Sequence, residues 1–159
     1  MKLIKFLIMK QEDKKLLLKD LCTRLMYGVK IKVLIEEVEY DAVVHGVYAD
    51  ETVFVEQNPE PNKVHCIDVV HVSEVKPYLF PLSSMTEEQY ESLRELGILS
   101  NCSHSYEYIN PYVHGVSFVF KEFKTYSLEL IEWLNKNHFD YRGLIEKGLA
   151  INATGLNIY

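Results

Sequence analysis

The spacing of apolar residues changes along this chain, and each change predicts a different kind of element. Between residues 11 and 27 apolar residues recur every three or four positions, which predicts a helix. Between residues 29 and 72 they alternate with polar residues, which predicts strands. After residue 85 the helical spacing returns around one further alternating stretch. The pattern therefore predicts an α+β protein with an N-terminal helix, a small antiparallel β-meander or SH3-like barrel, and then helices with a β-hairpin.

The first predicted helix covers residues 11–27. Its apolar face is expected from residues at three- and four-residue spacing, namely Leu17, Leu18, Leu21, Cys22 and Leu25. The other faces are expected to carry the basic residues Lys14, Lys15, Lys19 and Arg24. Gly28 follows directly, where a helix end favours a left-handed residue.

Strands are predicted next over residues 29–35, 42–48 and 52–56, and a fourth begins at 63–67 and continues over 69–72. Residues 49–51 form a predicted turn, and the Pro- and Asn-rich residues 58–62 form a predicted loop. The stretch that follows contains Pro77 and Pro81, which lack a backbone N–H and fix φ. We expect residues 75–82 to be a stiff, extended strap that crosses a core and joins two layers.

The second half carries clear helix signals. Thr86 and Gln89 have the spacing of a capping box, followed by the apolar stripe Tyr90, Leu93 and Leu96 and then by Gly97. A hairpin is predicted from residues 106–109 and 113–123, around a turn at 110–111.

Two more helices are predicted towards the end of the chain. Ser127 is expected to cap a helix through residue 136 that turns Leu128, Leu130, Ile131, Trp133 and Leu134 inward. Asp140 is expected to cap a short helix over residues 141–147 that ends at Gly148, and Tyr159 is expected to be loose.

The length of 159 residues predicts a single domain, with residues 11–80 forming a helix and β-meander and residues 81–159 an α-rich layer with a hairpin. Residues 1–10 are interpreted as an extra arm or as a mis-started N-terminus, with translation beginning at Met9. They lack the small-residue cleavage site of a signal peptide and are too short to span a membrane.

Charge is distributed unevenly within the net charge of −6. Residues 1–35 hold nine basic and three acidic residues, whereas residues 36–120 hold three basic and fifteen acidic residues. The acidic middle would repel a nucleic-acid backbone, and the basic beginning could attract one. Three widely spaced cysteines do not form a disulfide framework, which favours the cytoplasm, with Cys22 in the core and Cys66 on a strand.

No catalytic, cofactor-binding or metal-binding constellation is predicted. Gly115-Val116-Ser117 lacks the second glycine of a nucleophile elbow. The His65-Cys66…His71 and Cys102-Ser103-His104 groups lack the paired spacing of structural zinc. His138, Asp140 and Arg142 are read as structural, with Asp140 as a helix cap.

The candidate contact residues are therefore lysines and tyrosines. Aromatic residues make up 12% of the chain and concentrate around the predicted hairpin. Exposed tyrosines would suit a protein interface or could stack on nucleic-acid bases. We single out as candidate interaction residues Lys14, Lys15, Lys19, Tyr106, Tyr108 and Tyr112.

Three stretches carry a resemblance: the run from Lys14 to Cys22, Val75-Lys-Pro-Tyr-Leu-Phe-Pro-Leu-Ser-Ser-Met-Thr-Glu-Glu-Gln89, and Trp133-Leu-Asn-Lys-Asn-His-Phe-Asp-Tyr-Arg-Gly-Leu-Ile-Glu-Lys-Gly-Leu149. Through them the chain resembles, over residues 11–159, a family of small uncharacterised proteins of gut anaerobic bacteria and their phages or mobile elements. The resemblance implies a cytoplasmic, phage-associated α+β protein and brings no catalytic residue with it.

Three functions compete on this sequence. The first is a non-catalytic interaction or accessory protein of a phage or mobile element, with a protein partner. The second is a nucleic-acid-binding small-barrel module, which the net charge disfavours. The third is a small-ligand binder or enzyme with its site between barrel and helices. No cofactor and no membrane partner are expected.

Overall fold

The structure is a computed structural model that describes residues 9–57, 66–109 and 117–159. The chain divides into two compact units, Met1–Pro77 and Tyr78–Tyr159. Several predicted features lie outside the described residues: most of the N-terminal arm, the loop at 58–62, the turn at 110–111, and the first residues of the strands predicted at 63–67 and 113–123. The single-domain organisation stays a prediction.

Unit 1 is an antiparallel sheet with one helix. Its elements are α1 (Gln11–Arg24), a 3₁₀ turn (Leu25–Tyr27), β1 (Lys30–Ile35), β2 (Val38–Val47), β3 (Thr52–Gln57), β4 (Ile67–His71) and the first part of β5 (Val75–Pro81). Strands β1 to β4 pair in chain order, and β1 also pairs with Val75–Pro77 of β5. The inner face carries buried aliphatic residues at alternate positions, as the period of two predicts.

The meander of unit 1 is open, so the SH3-like barrel is not formed. Among the described residues β4 pairs with β3 alone and forms an edge of the sheet. The pattern of alternating residues predicts which side chains are buried, but the same pattern serves an open sheet and a closed one. The prediction of strands is confirmed, and the alternative of a small barrel is wrong.

The proline-containing strap is extended, as predicted, but it is also a paired strand. Its first residues pair antiparallel with β1, where Pro77 lies opposite Ile31. Its later residues, from Tyr78, pair in parallel with β9 (Ile151–Asn152) and β8 (Phe139–Asp140). Prolines are tolerated here because neighbouring residues form the backbone hydrogen bonds of the strand. The Phe80 N–H donates to the His138 carbonyl at 2.9 Å, and the Leu79 carbonyl accepts from the Ala153 N–H at 2.8 Å.

Helix α1 buries Leu17 and Leu21 as predicted, but its buried stripe also includes two charged residues. Its buried residues are Leu17, Asp20, Leu21 and Arg24, which recur at positions i, i+3, i+4 and i+7. Arg24 is fully buried and binds Asp20 through two bonds, Nε to Oδ2 at 2.8 Å and Nη2 to Oδ1 at 3.1 Å. Cys22, predicted in the core, is exposed. A buried ion pair therefore takes the place expected for an apolar residue.

Unit 2 combines two helices, a hairpin and short parallel strands. After the second part of β5 its elements are α2 (Glu87–Glu95), β6 (His104–Ile109), β7 (Ser117–Phe123), α3 (Leu128–Lys136), β8 and β9. Strands β6 and β7 pair antiparallel as predicted, with Tyr108 opposite Phe118. Buried apolar and aromatic residues form its core, among them Tyr90, Leu93, Phe120, Leu130, Leu134 and Phe139.

The predicted caps of α2 and α3 are confirmed. The Thr86 hydroxyl accepts from the Gln89 N–H at 3.2 Å, and the Gln89 side chain returns a bond to the Thr86 N–H. Ser127 accepts from the Leu130 N–H at 3.2 Å. Two inward predictions are wrong, because Leu96 is 64% and Leu128 is 69% exposed. Both lie at helix ends, where the apolar stripe runs past the core.

The predicted helix over residues 141–147 is a series of turns instead. Gly143 has φ of 73°, in the left-handed region, which a right-handed helix cannot continue through. Asp140 does cap this segment, since its carboxylate accepts from the backbone N–H of Leu144 and Ile145 at 3.0 and 2.8 Å. Tyr159 is anchored, because its hydroxyl donates to the Tyr78 carbonyl at 2.9 Å.

Candidate functional site

Tyr106 and Tyr108 form the most exposed aromatic pair of unit 2's hairpin. They lie two residues apart on β6 and therefore on the same face of the strand. Their rings meet edge to face with centroids 5.6 Å apart, and their exposed fractions are 44% and 46%. Phe118 on β7 supports both rings at 5.6 and 5.7 Å. We call Tyr106, Tyr108 and Phe118 the tyrosine face.

The ring of Tyr90, on helix α2, packs against the rings of the tyrosine face. Its ring centroid lies 5.0 Å from that of Tyr106 and 5.2 Å from that of Phe118. Its hydroxyl donates to Nε2 of His104 at 3.0 Å, since the other ring nitrogen, Nδ1, lies 3.2 Å from the Cys102 carbonyl and donates to it. Burial raises the pKa of Tyr90, so its phenol stays neutral. The face is therefore held in one arrangement before any partner arrives.

Two glutamates of helix α2, Glu87 and Glu91, raise the pKa of Tyr108 in the tyrosine face through their negative charge. Residues 86–109 contain five glutamates and one arginine. The Tyr108 hydroxyl donates to Oε1 of Glu87 at 3.0 Å, and this bond raises the pKa of Tyr108. Arg94 forms an ion pair with Glu91, and Lys121 forms one with Glu107. Because both of these cations already face a carboxylate, the surroundings keep an excess of negative charge.

The lysines predicted for interaction lie on α1 in unit 1. The Lys14 ammonium binds Oε2 of Glu51 at 3.0 Å, so its charge is used within the unit. Lys15 and Lys19 are exposed, four residues apart. Tyr112, the remaining predicted residue, lies outside the described residues. The structure thus brings Tyr106 and Tyr108 together, and it leaves two of the three lysines on the surface.

Glu51 is the centre of a polar network in unit 1 that sequence reasoning missed. Its carboxylate accepts from Gln11 at 2.5 Å and from Lys14 at 3.0 Å, and it meets Nε2 of His71 at 3.1 Å. These bonds, with Gln11 first, lower the pKa of Glu51 to about 2. Its φ of 68° is unusual for a residue other than glycine. A turn glutamate gave no signal of this role, because its partners lie far away in the sequence.

His71 extends that network to Ser73. The Ser73 hydroxyl lies 2.7 Å from Nδ1 of His71, in an order that resembles a serine–histidine–carboxylate relay. The Ser73 backbone N–H donates to the same Nδ1 at 3.2 Å, and the Glu74 carboxylate accepts from the His71 N–H at 2.8 Å. These reciprocal bonds are those of a capping box on the turn Val72–Glu74, so the imidazole serves as a cap.

Other groups that could carry chemistry are engaged elsewhere. Within residues 9–57, 66–109 and 117–159 no three His, Cys, Asp or Glu side chains converge on a metal position. Cys102 donates its thiol to the Ile98 carbonyl at 3.4 Å, and the described cysteines are free. A cleft of about 310 Å³ in unit 2 is bordered by Lys121, Asp140 and Tyr141. The Asp140 carboxylate there already binds backbone N–H groups, which disfavours a role as a base.

The helices give no sign of a membrane span. Over the part of the chain that the structure describes, none of them is long and apolar enough to cross a bilayer. Comparison with protein-family models, curated proteins and solved structures gave no match to this chain. The resemblance noted from the sequence therefore stays a prediction.

Proposed function

We propose that this protein is a non-catalytic interaction protein that binds a partner protein through the tyrosine face. The observation that supports it most is the exposure of Tyr106 and Tyr108 side by side, with the Glu87 carboxylate bonded to Tyr108. The partner segment would carry arginine or lysine side chains. We further propose a cytoplasmic setting, in which the cysteines stay reduced.

The chemistry of the face suits such a segment. Tyrosine rings contribute large contact areas and are enriched at binding hot spots. A cation over an exposed ring is worth about 0.5–1 kcal/mol, and nearby carboxylates steer basic partners and exclude acidic ones. The packing of Tyr90 behind the rings lowers the ordering cost of binding, because the rings are already positioned.

Nucleic-acid binding has less support. Phosphates would meet the glutamates around the tyrosine face and be repelled. On α1, Lys14 already neutralises Glu51, which leaves Lys15 and Lys19 as the exposed members of the predicted set. The open meander also lacks the closed small barrel on which that hypothesis was based.

The test is binding of synthetic peptides followed by fluorescence anisotropy. We expect arginine-bearing peptides to bind, acidic peptides of matched length not to bind, and affinity to fall with salt. The double variant Tyr106→Ser/Tyr108→Ser should lose about tenfold or more in affinity, equal to about 1.4 kcal/mol. The control is Tyr126→Ser, which removes another exposed tyrosine of unit 2 and should leave the affinity unchanged.

Two outcomes would contradict the proposal. One is that no basic peptide binds, or that binding is the same in the double variant as in the wild type. The other is that single-stranded DNA or RNA binds more tightly than the peptides and that Lys15→Glu/Lys19→Glu abolishes that binding. The second outcome would move the function to the lysines of α1.

A further inference from the structure

We infer that the partner segment binds as an additional β-strand along the outer edge of β6. This inference rests on the proposed function and adds the geometry of the complex. An extended peptide that joins a sheet edge gains affinity from backbone hydrogen bonds and specificity from alternate side chains. Strand β6 offers both.

The edge of β6 is open among the described residues. In that part of the chain β6 pairs only with β7, while β7 lies against the turn Leu82–Ser84 and helix α2. Three successive residues of β6, Tyr106, Glu107 and Tyr108, are exposed. Because successive residues point to opposite faces, both faces of the strand are accessible here. An added strand would therefore meet side chains above and below.

The sequence of β6 has few of the features that stop an exposed edge strand from pairing with another chain. Exposed edges in native proteins are usually protected by lysine, proline or a bulge. β6 reads His-Ser-Tyr-Glu-Tyr-Ile and contains neither lysine nor proline. The register shift of the hairpin places its extra residue, Lys121, on β7 and not on β6, and Tyr106–Tyr108 keep a regular ladder with β7. Tyrosine and isoleucine also favour strands, which makes this a natural pairing site.

Strand addition also fixes the pattern of the partner. Residues two apart on the added strand would lie beside Tyr106 and Tyr108 on one face, and the residue between them would lie beside Glu107. The side chain of Glu107 is 51% exposed, so it can accept a second cation. The occupant is thus an extended segment with basic residues on both faces. A second copy of β6 would instead bring glutamates together, which is unfavourable.

The experiment compares peptides that differ only in backbone methylation. The parent is a peptide of about nine residues, a typical strand length, with arginines interspersed with valine and threonine. Two variants carry N-methyl groups on alternate residues, one on the odd and one on the even positions. In an added strand the odd and even N–H groups point to opposite edges, so only one set can donate to β6.

We expect one methylated peptide to lose about tenfold or more in affinity, since several hydrogen bonds are worth about 1 kcal/mol each, and the other to bind like the parent. Hydrogen exchange should show added protection of the amides of 104–109. β4, an edge strand of unit 1, is the internal control and should show no added protection.

Three results would overturn this geometry. If both methylated peptides bind like the parent while Tyr106→Ser/Tyr108→Ser still abolishes binding, strand addition is wrong and the proposed function stands. If the protection appears on β4, the wrong edge has been assigned. If light scattering shows a dimer that the parent peptide dissociates, the occupant is a second copy. Absence of any binding would instead remove the proposed function itself.

Discussion

Helix α1 and the β6–β7 hairpin use charge and aromatic rings in opposite ways. On α1 two charged residues are turned inward, since Arg24 and Asp20 are fully buried together. On the hairpin two aromatic rings are turned outward, with Tyr106 and Tyr108 nearly half exposed. Charged side chains usually lie on the surface and large aromatic side chains are usually buried, so both regions reverse the usual placement.

This contrast separates residues that are engaged within their own unit from residues that are available to bind a partner. A charge that already binds a neighbour is partly neutralised by it and attracts a partner less strongly. A large ring that stays exposed gains contacts when a partner covers it. The comparison therefore favours the hairpin as the binding surface, and the following predictions test each side of it.

The largest effect is expected for Arg24→Met, which leaves the Asp20 carboxylate buried without its guanidinium. Removing one partner of a buried pair costs about 3–5 kcal/mol. The measurement is urea unfolding followed by circular dichroism. The matched control is the double variant Asp20→Leu/Arg24→Met, which should recover most of the lost stability. If Arg24→Met is within about 1 kcal/mol of the wild type, the Asp20 carboxylate does not need the Arg24 guanidinium in the folded protein.

A smaller loss is expected for Leu93→Ala in the core of unit 2. Leu93 is fully buried beside the aromatic residues of that core. Truncation should cost about 3 kcal/mol through lost burial and a cavity. Leu93→Met keeps the volume and should cost much less. A loss for Leu93→Ala as small as that expected for Leu93→Met, measured by thermal unfolding, would show that packing at this position is loose.

Thr86→Ala removes the side-chain acceptor that caps α2, the helix that carries Tyr90. The expected cost is about 1 kcal/mol, because the Gln89 N–H loses its partner. Thr86→Ser keeps the hydroxyl and should stay close to the wild type. Chemical denaturation of both variants provides the comparison, and no difference between them would mean that water caps the helix equally well.

The smallest effect concerns Glu51, whose lowered pKa makes stability depend on pH. The folded pKa is about 2, below the ordinary value of 4.5, so the stabilisation is present above the ordinary value and is lost as pH falls towards 2. The Tm difference between wild type and Glu51→Gln should therefore be largest near neutral pH and shrink in acid.

Glu36→Gln is the control for this titration, since Glu36 is an exposed turn glutamate that also has positive φ, at 54°. The control separates the loss of the Glu51 hydrogen bonds from the general effect of removing one negative charge from a turn. A constant difference for Glu51→Gln across the same pH range would mean that the Glu51 carboxylate titrates alike in the folded and unfolded states.

Local signals in the sequence predict much of this fold. Thr86, Ser127 and Gly28 mark helix ends through bonds and dihedral angles that involve only near neighbours, and the structure confirms them. The alternation of Ile31 and Val33 predicts a buried strand face for the same reason. The hairpin follows from patterns within a few residues of each other, whereas the sequence leaves open whether its tyrosines are exposed.

The wrong predictions fall where contacts between residues far apart in the sequence determine the structure. The sequence pattern places Arg24 on a solvated face, as is usual for a charged helix residue, but Arg24 lies on the same buried stripe as Leu17 and Leu21. Open or closed pairing of the meander depends on contacts that no local pattern encodes. The Glu51 network was invisible for the same reason, because Gln11 and His71 approach it only in the folded chain.

Strand β5 has a practical consequence for anyone who wishes to express the units as separate fragments. Its first three residues pair with β1, and its last four pair with β9 and β8. A gene divided at the border between Pro77 and Tyr78 would give both fragments a frayed strand end, whereas overlapping fragments that share the whole of Val75–Pro81 would each keep their native pairing. The substitutions that this strand tolerates are therefore limited by β1 for its first three residues and by β8 and β9 for its last four.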